Sequence, residues 1–290
     1  MLIAMSIYAS SAACGITVID DAGNSVRLSR PAQRIISLSP GTTESLFAAG
    51  AGTKVVGSVA PSDYPAAAAS IAVVGDSFSI DPERIAALAP DLIVAWPHGA
   101  AQRQMAQLRR LGVPVFVSDP RSLAAIASSL EALGRLADTG EVAAAAAASF
   151  RNRIDALRRS YADAAPLRVF LQIWGQPAMT VNDRHPIADV LRLCGGRNIF
   201  ATAYPVAPTV GFEAVVAANP QAIVAIASRK PAADWLAAWR RWPGIAAVRA
   251  NATFAIEPDL ITRPTPRIVE GADALCKNLD LIRQRLATAP

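Results

Sequence analysis

The sequence predicts an α/β protein of two similar lobes joined by one long helix. A duplicated segment, a pair of matching strand openings and an alanine-rich stretch between them carry that prediction. Residues 83–95 read Glu-Arg-Ile-Ala-Ala-Leu-Ala-Pro-Asp-Leu-Ile-Val-Ala, and residues 213–225 read Glu-Ala-Val-Val-Ala-Ala-Asn-Pro-Gln-Ala-Ile-Val-Ala, with glutamate, proline and apolar run in register. Each copy reads as a short amphipathic helix, apolar at Ile85 and Leu88 or at Val215 and Val216, stopped by proline and followed at once by a short buried strand. Arg34-Ile-Ile-Ser-Leu-Ser39 opens the first lobe and Arg168-Val-Phe-Leu-Gln-Ile173 the second, each an apolar strand with a polar exit. Two such lobes imply a cleft between them, the usual place for a small ligand.

The expected divisions are an N-terminal lobe over 33–138, a linking helix over 139–164 and a C-terminal lobe over 165–290. Nothing in the linking stretch breaks a helix, alanine favours one, and Phe150, Ile154, Leu157 and Tyr161 recur at three and four residues as one apolar stripe. A helical connector resists hinge bending, so modest lobe movement is expected. The arginines on it, Arg151, Arg153, Arg158 and Arg159, read as its wet face.

The 290 residues suit two domains, and 52% hydrophobic against 18% charged content marks a globular chain. A net charge of +5 permits an acidic partner, but the arginine pairs at 109–110, 158–159 and 240–241 lack an interleaved aromatic platform, so no nucleic-acid partner is expected.

Residues 1–14 form an apolar stretch ending in small residues, which reads as a signal-like segment although no lysine or arginine precedes Arg27. Cleavage near Ala13 is the simplest expectation, and a lipid on Cys14 is the weaker alternative. Export and a soluble, monomeric mature chain follow as expectations, since no other segment offers ~18 uninterrupted apolar residues.

Of the three cysteines, Cys14 sits beside the segment to be discarded. Cys194 and Cys276 then form the one pair that an oxidising compartment would bridge, although two unconnected buried thiols fit the spacing as well. No C-x-x-C, H-E-x-x-H or G-x-S-x-G occurs, and the turn at Ser39 has no histidine tied to it, so an enzyme is not expected. That turn's amides, with Thr42 and Thr43, suit a helix cap or a polar ligand group.

Several blocks taken together, namely residues 34–50, Ser62-Asp-Tyr-Pro65, Pro82-Glu-Arg-Ile85, Pro90-Asp-Leu-Ile-Val-Ala-Trp96, Leu193-Cys-Gly-Gly-Arg-Asn-Ile-Phe200 and Thr265-Pro-Arg-Ile268, resemble the periplasmic cobalamin-binding proteins. The resemblance covers nearly all of the chain after residue 30. It implies two Rossmann-like lobes joined by a single long α-helix, the class III arrangement of periplasmic binding proteins. It further implies a Cys194–Cys276 disulfide, and a partner importer of the ATP-binding-cassette type whose permease dimer docks Glu83 on one lobe and Glu213 on the other. The ligand implied is cobalamin or a related corrinoid, with no separate cofactor. The alternatives are haem or an iron–siderophore in the same class, or a non-transport sensor or storage module.

Trp96 matches an aromatic in that family's cleft. Where the family has further aromatics, Pro61, Ser77, Met179 and Ala207 stand here, and Tyr64, Phe78 and Trp174 offer apolar faces from neighbouring positions. Asp259 matches a polar cleft residue, with a plain turn aspartate as its other reading. His98, at a strand end after Trp96-Pro97, is either a solvated loop imidazole or a metal ligand, and a macrocycle already carrying its metal needs no such ligand.

Overall fold

A computed structural model describes residues 15–288. Thus the signal-like segment and Cys14 lie outside the described residues. The chain opens with an antiparallel hairpin, β1 (Ile16–Ile19) and β2 (Ser25–Leu28). A five-stranded sheet follows, built from β3 (Ile35–Ser37), β4 (Val55–Ala60), β5 (Val73–Asp76), β6 (Leu92–Ala95) and β7 (Val115–Val117) in the order β5-β4-β3-β6-β7. Every neighbouring pair in it is parallel. Its helices are α1 (Pro40–Ala48), α2 (Pro82–Ala87), α3 (Gly99–Arg110) and α4 (Leu123–Ala137).

After α5 (Gly140–Ser160) comes a second parallel sheet of β8 (Leu167–Gln172), β9 (Gly196–Asn198), β10 (Ala222–Ile226) and β11 (Thr253–Ile256), in the order β11-β10-β8-β9. Its helices are α6 (Pro186–Leu193), α7 (Phe212–Ala218), α8 (Arg229–Trp239), α9 (Ala246–Arg249) and α10 (Ile268–Thr288). Matching β3 to β8 and β6 to β10 makes the second sheet the first without its outer strand β5. Parallel strands covered by helices on both faces are buried runs, and β6 and β10 are buried at every residue.

The repeat extends to the hydrogen bonds that close each unit. Arg34 donates through Nε and Nη2 to the Leu88 carbonyl, and its backbone N–H donates to Asp91. Arg168 donates to the Asn219 carbonyl, and its backbone N–H to Gln221. Both short helices end in a left-handed residue, Ala89 and Asn219, each at φ 44°. Thus the arginine before the strand and the residue after the proline lock each copy.

Helix α5 runs without interruption from Gly140, after a turn at Asp138, whose φ of 55° ends α4. Phe150 and Ile154 are buried, and Leu157 and Tyr161 pack on the same core. A Cβ at Gly134 would strike Ala143, so glycine sets the close approach of α4 and α5. Arg151 does more than face water: it makes a two-pronged bond to Glu131 of α4 at 2.6 and 3.1 Å.

The hairpin β1–β2, to which the sequence reading assigned no structure, belongs with the first sheet. Val117 N–H donates to Asp20, Asp119 N–H to Asp21, and the Ser129 hydroxyl to Asp21 at 2.7 Å. Cys194 and Cys276, both buried, form a disulfide with Cα atoms 4.7 Å apart, tying α10 to the end of α6. No helix among the described residues is long and apolar enough to cross a membrane.

Candidate functional site

The carboxyl end of β3 leads straight into α1 through Ser39-Pro40-Gly41. Ser39 is the N-cap, accepting from Thr42 N–H, while the Thr42 hydroxyl accepts from Ser39 N–H to complete a capping box. Pro40 fits the first helical turn, where its missing N–H costs nothing. Thr42 and Thr43 are both buried, held within 2.8 Å of the Ser37 hydroxyl. The helix-capping reading of this turn is therefore the one its hydrogen bonds display.

Across from that turn stands the segment Thr262–Pro264, which enters from the second lobe ahead of α10. The two sides enclose a cavity of about 350 Å³. Its walls are the α1 turn, Trp96 and Ser118 from the first lobe, and Ile173, Val181, His185, Ile187 and the Thr262–Pro264 segment from the second. The lining is predominantly apolar with a few convergent polar groups, the usual character of a small-molecule site.

One charged cluster crosses the cleft. Glu44 of α1, buried, receives Arg263 Nη1 at 2.6 Å, the Thr265 hydroxyl at 3.0 Å and Arg267 Nη1 at 3.3 Å. Arg263 also meets Asp63 at 3.1 Å and Asp259 at 2.9 Å. Burial lifts the Glu44 carboxyl above its ordinary range, while Arg263, Arg267 and Thr265 pull it back. Both its oxygens accept from donors, so the geometry accommodates the carboxylate. Against the cost of burial, Glu44, Asp63 and Asp259 hold the Arg263 guanidinium above its usual value. Arg263 is the cation in the cavity lining, and three carboxylates meet it.

Of the ligand-facing residues expected from the sequence, Trp96 lines this cavity and the rest stand outside its lining. Tyr64, 45% exposed, has the Arg267 guanidinium 3.9 Å over its ring. Phe78, 81% exposed, sits on the loop whose Ser77 carbonyl accepts from Ala100 at the start of α3. Trp174, 57% exposed, follows the lining residue Ile173 and leans on Trp235. Met179 is half-buried, bridged by backbone to Trp174 and Thr209. Asp259 is taken up by Arg263. His98 lies 4.4 Å from the Trp96 ring and 3.7 Å from Asp119. Among the described residues no group of three or more His, Cys, Asp and Glu side chains could hold a metal.

His185, Ser118 and Arg263 line the cavity without having been chosen as ligand-facing from the sequence, whereas the α1 turn, which also lines it, had been read as suiting a helix cap or a polar ligand group. His185 caps α6 by accepting from Ile187 N–H, and burial lowers its pKa to about 4. A histidine directly before a proline, a residue favoured in the first turn of a helix, was the signal available for it. Tyr204, 85% exposed and outside the lining, follows Ala203, whose carbonyl accepts from Asn182 beside the lining residue Val181.

The two exposed glutamates of the repeat, Glu83 and Glu213, occupy the first turns of α2 and α7. Neither carboxylate has a hydrogen-bond or ion-pair partner among the described residues. Asp81 caps α2 through its side chain, whereas Gly211 provides α7 with no such cap.

Two parallel-sheet lobes, one connecting helix and a cleft cavity between them are the architecture of a two-lobed binding protein. The chain belongs to the periplasmic binding protein family, whose pattern it matches over residues 35–260. It is 38% identical over 256 residues to the vitamin B12-binding protein of Vibrio cholerae, covering 88% of this chain and 92% of that one. It is 40% identical over 248 residues to the vitamin B12-binding protein of Yersinia pestis, covering 86% of each. The crystal structure of the periplasmic vitamin B12-binding protein BtuF of Vibrio cholerae superposes with a TM-score of 0.79 at 37% identity, over 87% of this chain and 98% of that one. The periplasmic heme-binding protein RhuT from Roseiflexus sp. RS-1, at 23% identity and a TM-score of 0.75, covers 86% of this chain and 98% of its own and shares the fold.

Proposed function

We propose that this protein captures cobalamin or a closely related corrinoid in the inter-lobe cleft and delivers it, in the periplasm, to an importer of the ATP-binding-cassette type. The observation that carries the choice of ligand is the balanced charge of the cavity. Its cation, Arg263, is met by Glu44, Asp63 and Asp259. A haem with propionates or an anionic siderophore complex calls for uncompensated cations, whereas a corrin with amide side chains calls for neutral donors and acceptors. The identity to vitamin B12-binding proteins points the same way.

A corrin is larger than the enclosed volume, so its flat face would lie across the mouth. Trp96 on the cavity wall and the exposed aromatic faces of Tyr64, Phe78 and Trp174 would supply the large apolar surface such a face calls for. The lobes, divided as 33–138 and 165–290 with the helix 139–164 between, would close over it by a modest movement.

Glu83 and Glu213 suit docking to arginines of a two-fold symmetric permease dimer, one carboxylate per lobe. Export would remove residues 1–14, or leave Cys14 lipid-anchored. Titration calorimetry with cyanocobalamin, haemin and a ferric siderophore tests the ligand. Cyanocobalamin should bind, and binding of haemin alone would transfer the protein to the alternative.

A further inference from the structure

The imidazole of His185 has an unusually defined state. Its Nδ1 accepts from Ile187 N–H at 3.2 Å, which closes the N-terminus of α6. A ring nitrogen that accepts must keep its lone pair, so the proton of the neutral ring sits on Nε2. That Nε2 has no hydrogen-bond partner among the described residues. It is also not a buried orphan, a condition shown there by Arg283 Nη1. His185 lines the cleft cavity, and Nε2 is the ring nitrogen left free by the α6 cap.

We infer that His185 is a specificity-determining residue whose Nε2–H donates to a neutral carbonyl-type acceptor of the bound molecule, such as a side-chain amide, and that it does not ligate the metal. The inference rests on the corrinoid reading of the cleft and deepens it. Ile173, Val181, Ile187 and Trp96 supply apolar surface to the same lining, so once an occupant excludes water a donor left unanswered is costly and an occupant that answers it is favoured. The groups that face the ring are Asp119, which favours its protonated form, and His98, which opposes it; burial outweighs both and keeps the ring neutral at physiological pH. With Nδ1 committed to the helix and Nε2 protonated, neither nitrogen offers a lone pair to cobalt.

The test uses the full mature chain and two substitutions. His185→Asn keeps an acceptor for Ile187 N–H and a donor toward the cavity, whereas His185→Phe keeps ring volume and loses both. By titration calorimetry with cyanocobalamin, His185→Phe should bind about tenfold more weakly and His185→Asn should stay within about threefold of the unaltered protein. Binding by a folded His185→Phe protein within about threefold overturns the inference.

Two measurements separate this from failure of the ligand assignment. Long-range ¹⁵N–¹H spectra of the ligand-free protein should place the His185 proton on Nε2 even if cyanocobalamin does not bind; a proton on Nδ1 refutes the donor role. With aquacobalamin, whose axial water can be exchanged, the visible bands should not shift toward those of an imidazole complex. A shift that disappears in His185→Phe would make the residue a cobalt ligand and overturn the inference.

Discussion

Glu44 and Arg263 meet across the cleft, Oε1 to Nη1 at 2.6 Å, one from the first helix of the first lobe and the other from the segment preceding the last helix. Glu44 is 3% exposed, so the pair lies between the lobes rather than on the surface. Taking one member away strands the other. Arg263→Ala should cost about 3 kcal/mol of stability, toward the lower end for a broken buried pair because Arg267 and Thr265 still reach Glu44. Urea denaturation reads this, and a loss below about 0.5 kcal/mol would place the pair among ordinary surface bridges.

Trp96 has its indole on the cavity wall and 41% of its surface open. Trp96→Ala should weaken cyanocobalamin binding by about 1 to 3 kcal/mol, the order for losing such an apolar face. Unchanged affinity in titration calorimetry would remove Trp96 from the site.

His185 couples stability to pH. Its folded-state pKa of about 4 lies below the ordinary 6.5, so between those values the unfolded chain binds a proton that the folded one refuses. Stability from this residue is complete above the unfolded value and is lost as pH falls toward 4, by on the order of 2 to 3 kcal/mol. Urea midpoints at several pH values should show a shallower acid loss in His185→Asn than in the unaltered protein. Parallel profiles would mean the imidazole titrates normally.

The Cys194–Cys276 bridge closes a sequence separation of 82 residues. Replacing both cysteines with alanine should cost about 2 to 5 kcal/mol. Non-reducing peptide mapping of oxidatively folded protein should recover the linked pair, and two alkylatable thiols in its place would defeat it.

Glu83 and Glu213 separate a transport receptor from a sensor or storage protein of the same fold. The double change to alanine should leave ligand affinity nearly intact, because both carboxylates are exposed in the first turns of their helices. Uptake in reconstituted liposomes should fall by more than for either single change, since a desolvated charge pair in an interface is worth a few kcal/mol. Wild-type uptake by the double mutant would leave these acids as helix-terminus residues, favoured there by about 0.3 to 1 kcal/mol.

The sequence by itself determined the repeating unit. Glutamate, apolar helix face, proline and buried strand are local signals, set by periodicity and by the backbone limits of proline, and they locate α2–β6 and α7–β10 without any tertiary information. The unbroken alanine-rich stretch likewise located α5, because nothing in it opposes a helix. Trp96 was legible through the family resemblance, which matches it to a cleft aromatic, and the structure sets it directly after β6 on the cavity wall.

Tertiary structure alone decided the cavity. Glu44 and Arg263 are far apart in the chain, and neither carries a local mark of its partner; only the packing of two lobes brings them within hydrogen-bond reach. His185 directly precedes a proline, but its tautomer depends on Ile187 N–H and its neutrality on burial in the folded protein. The hairpin β1–β2 was invisible for a related reason. Four-residue strands with a half-polar pattern carry little intrinsic preference, and Asp20 and Asp21 hold them in place through bonds to β7, Asp119 and Ser129, residues distant in the chain.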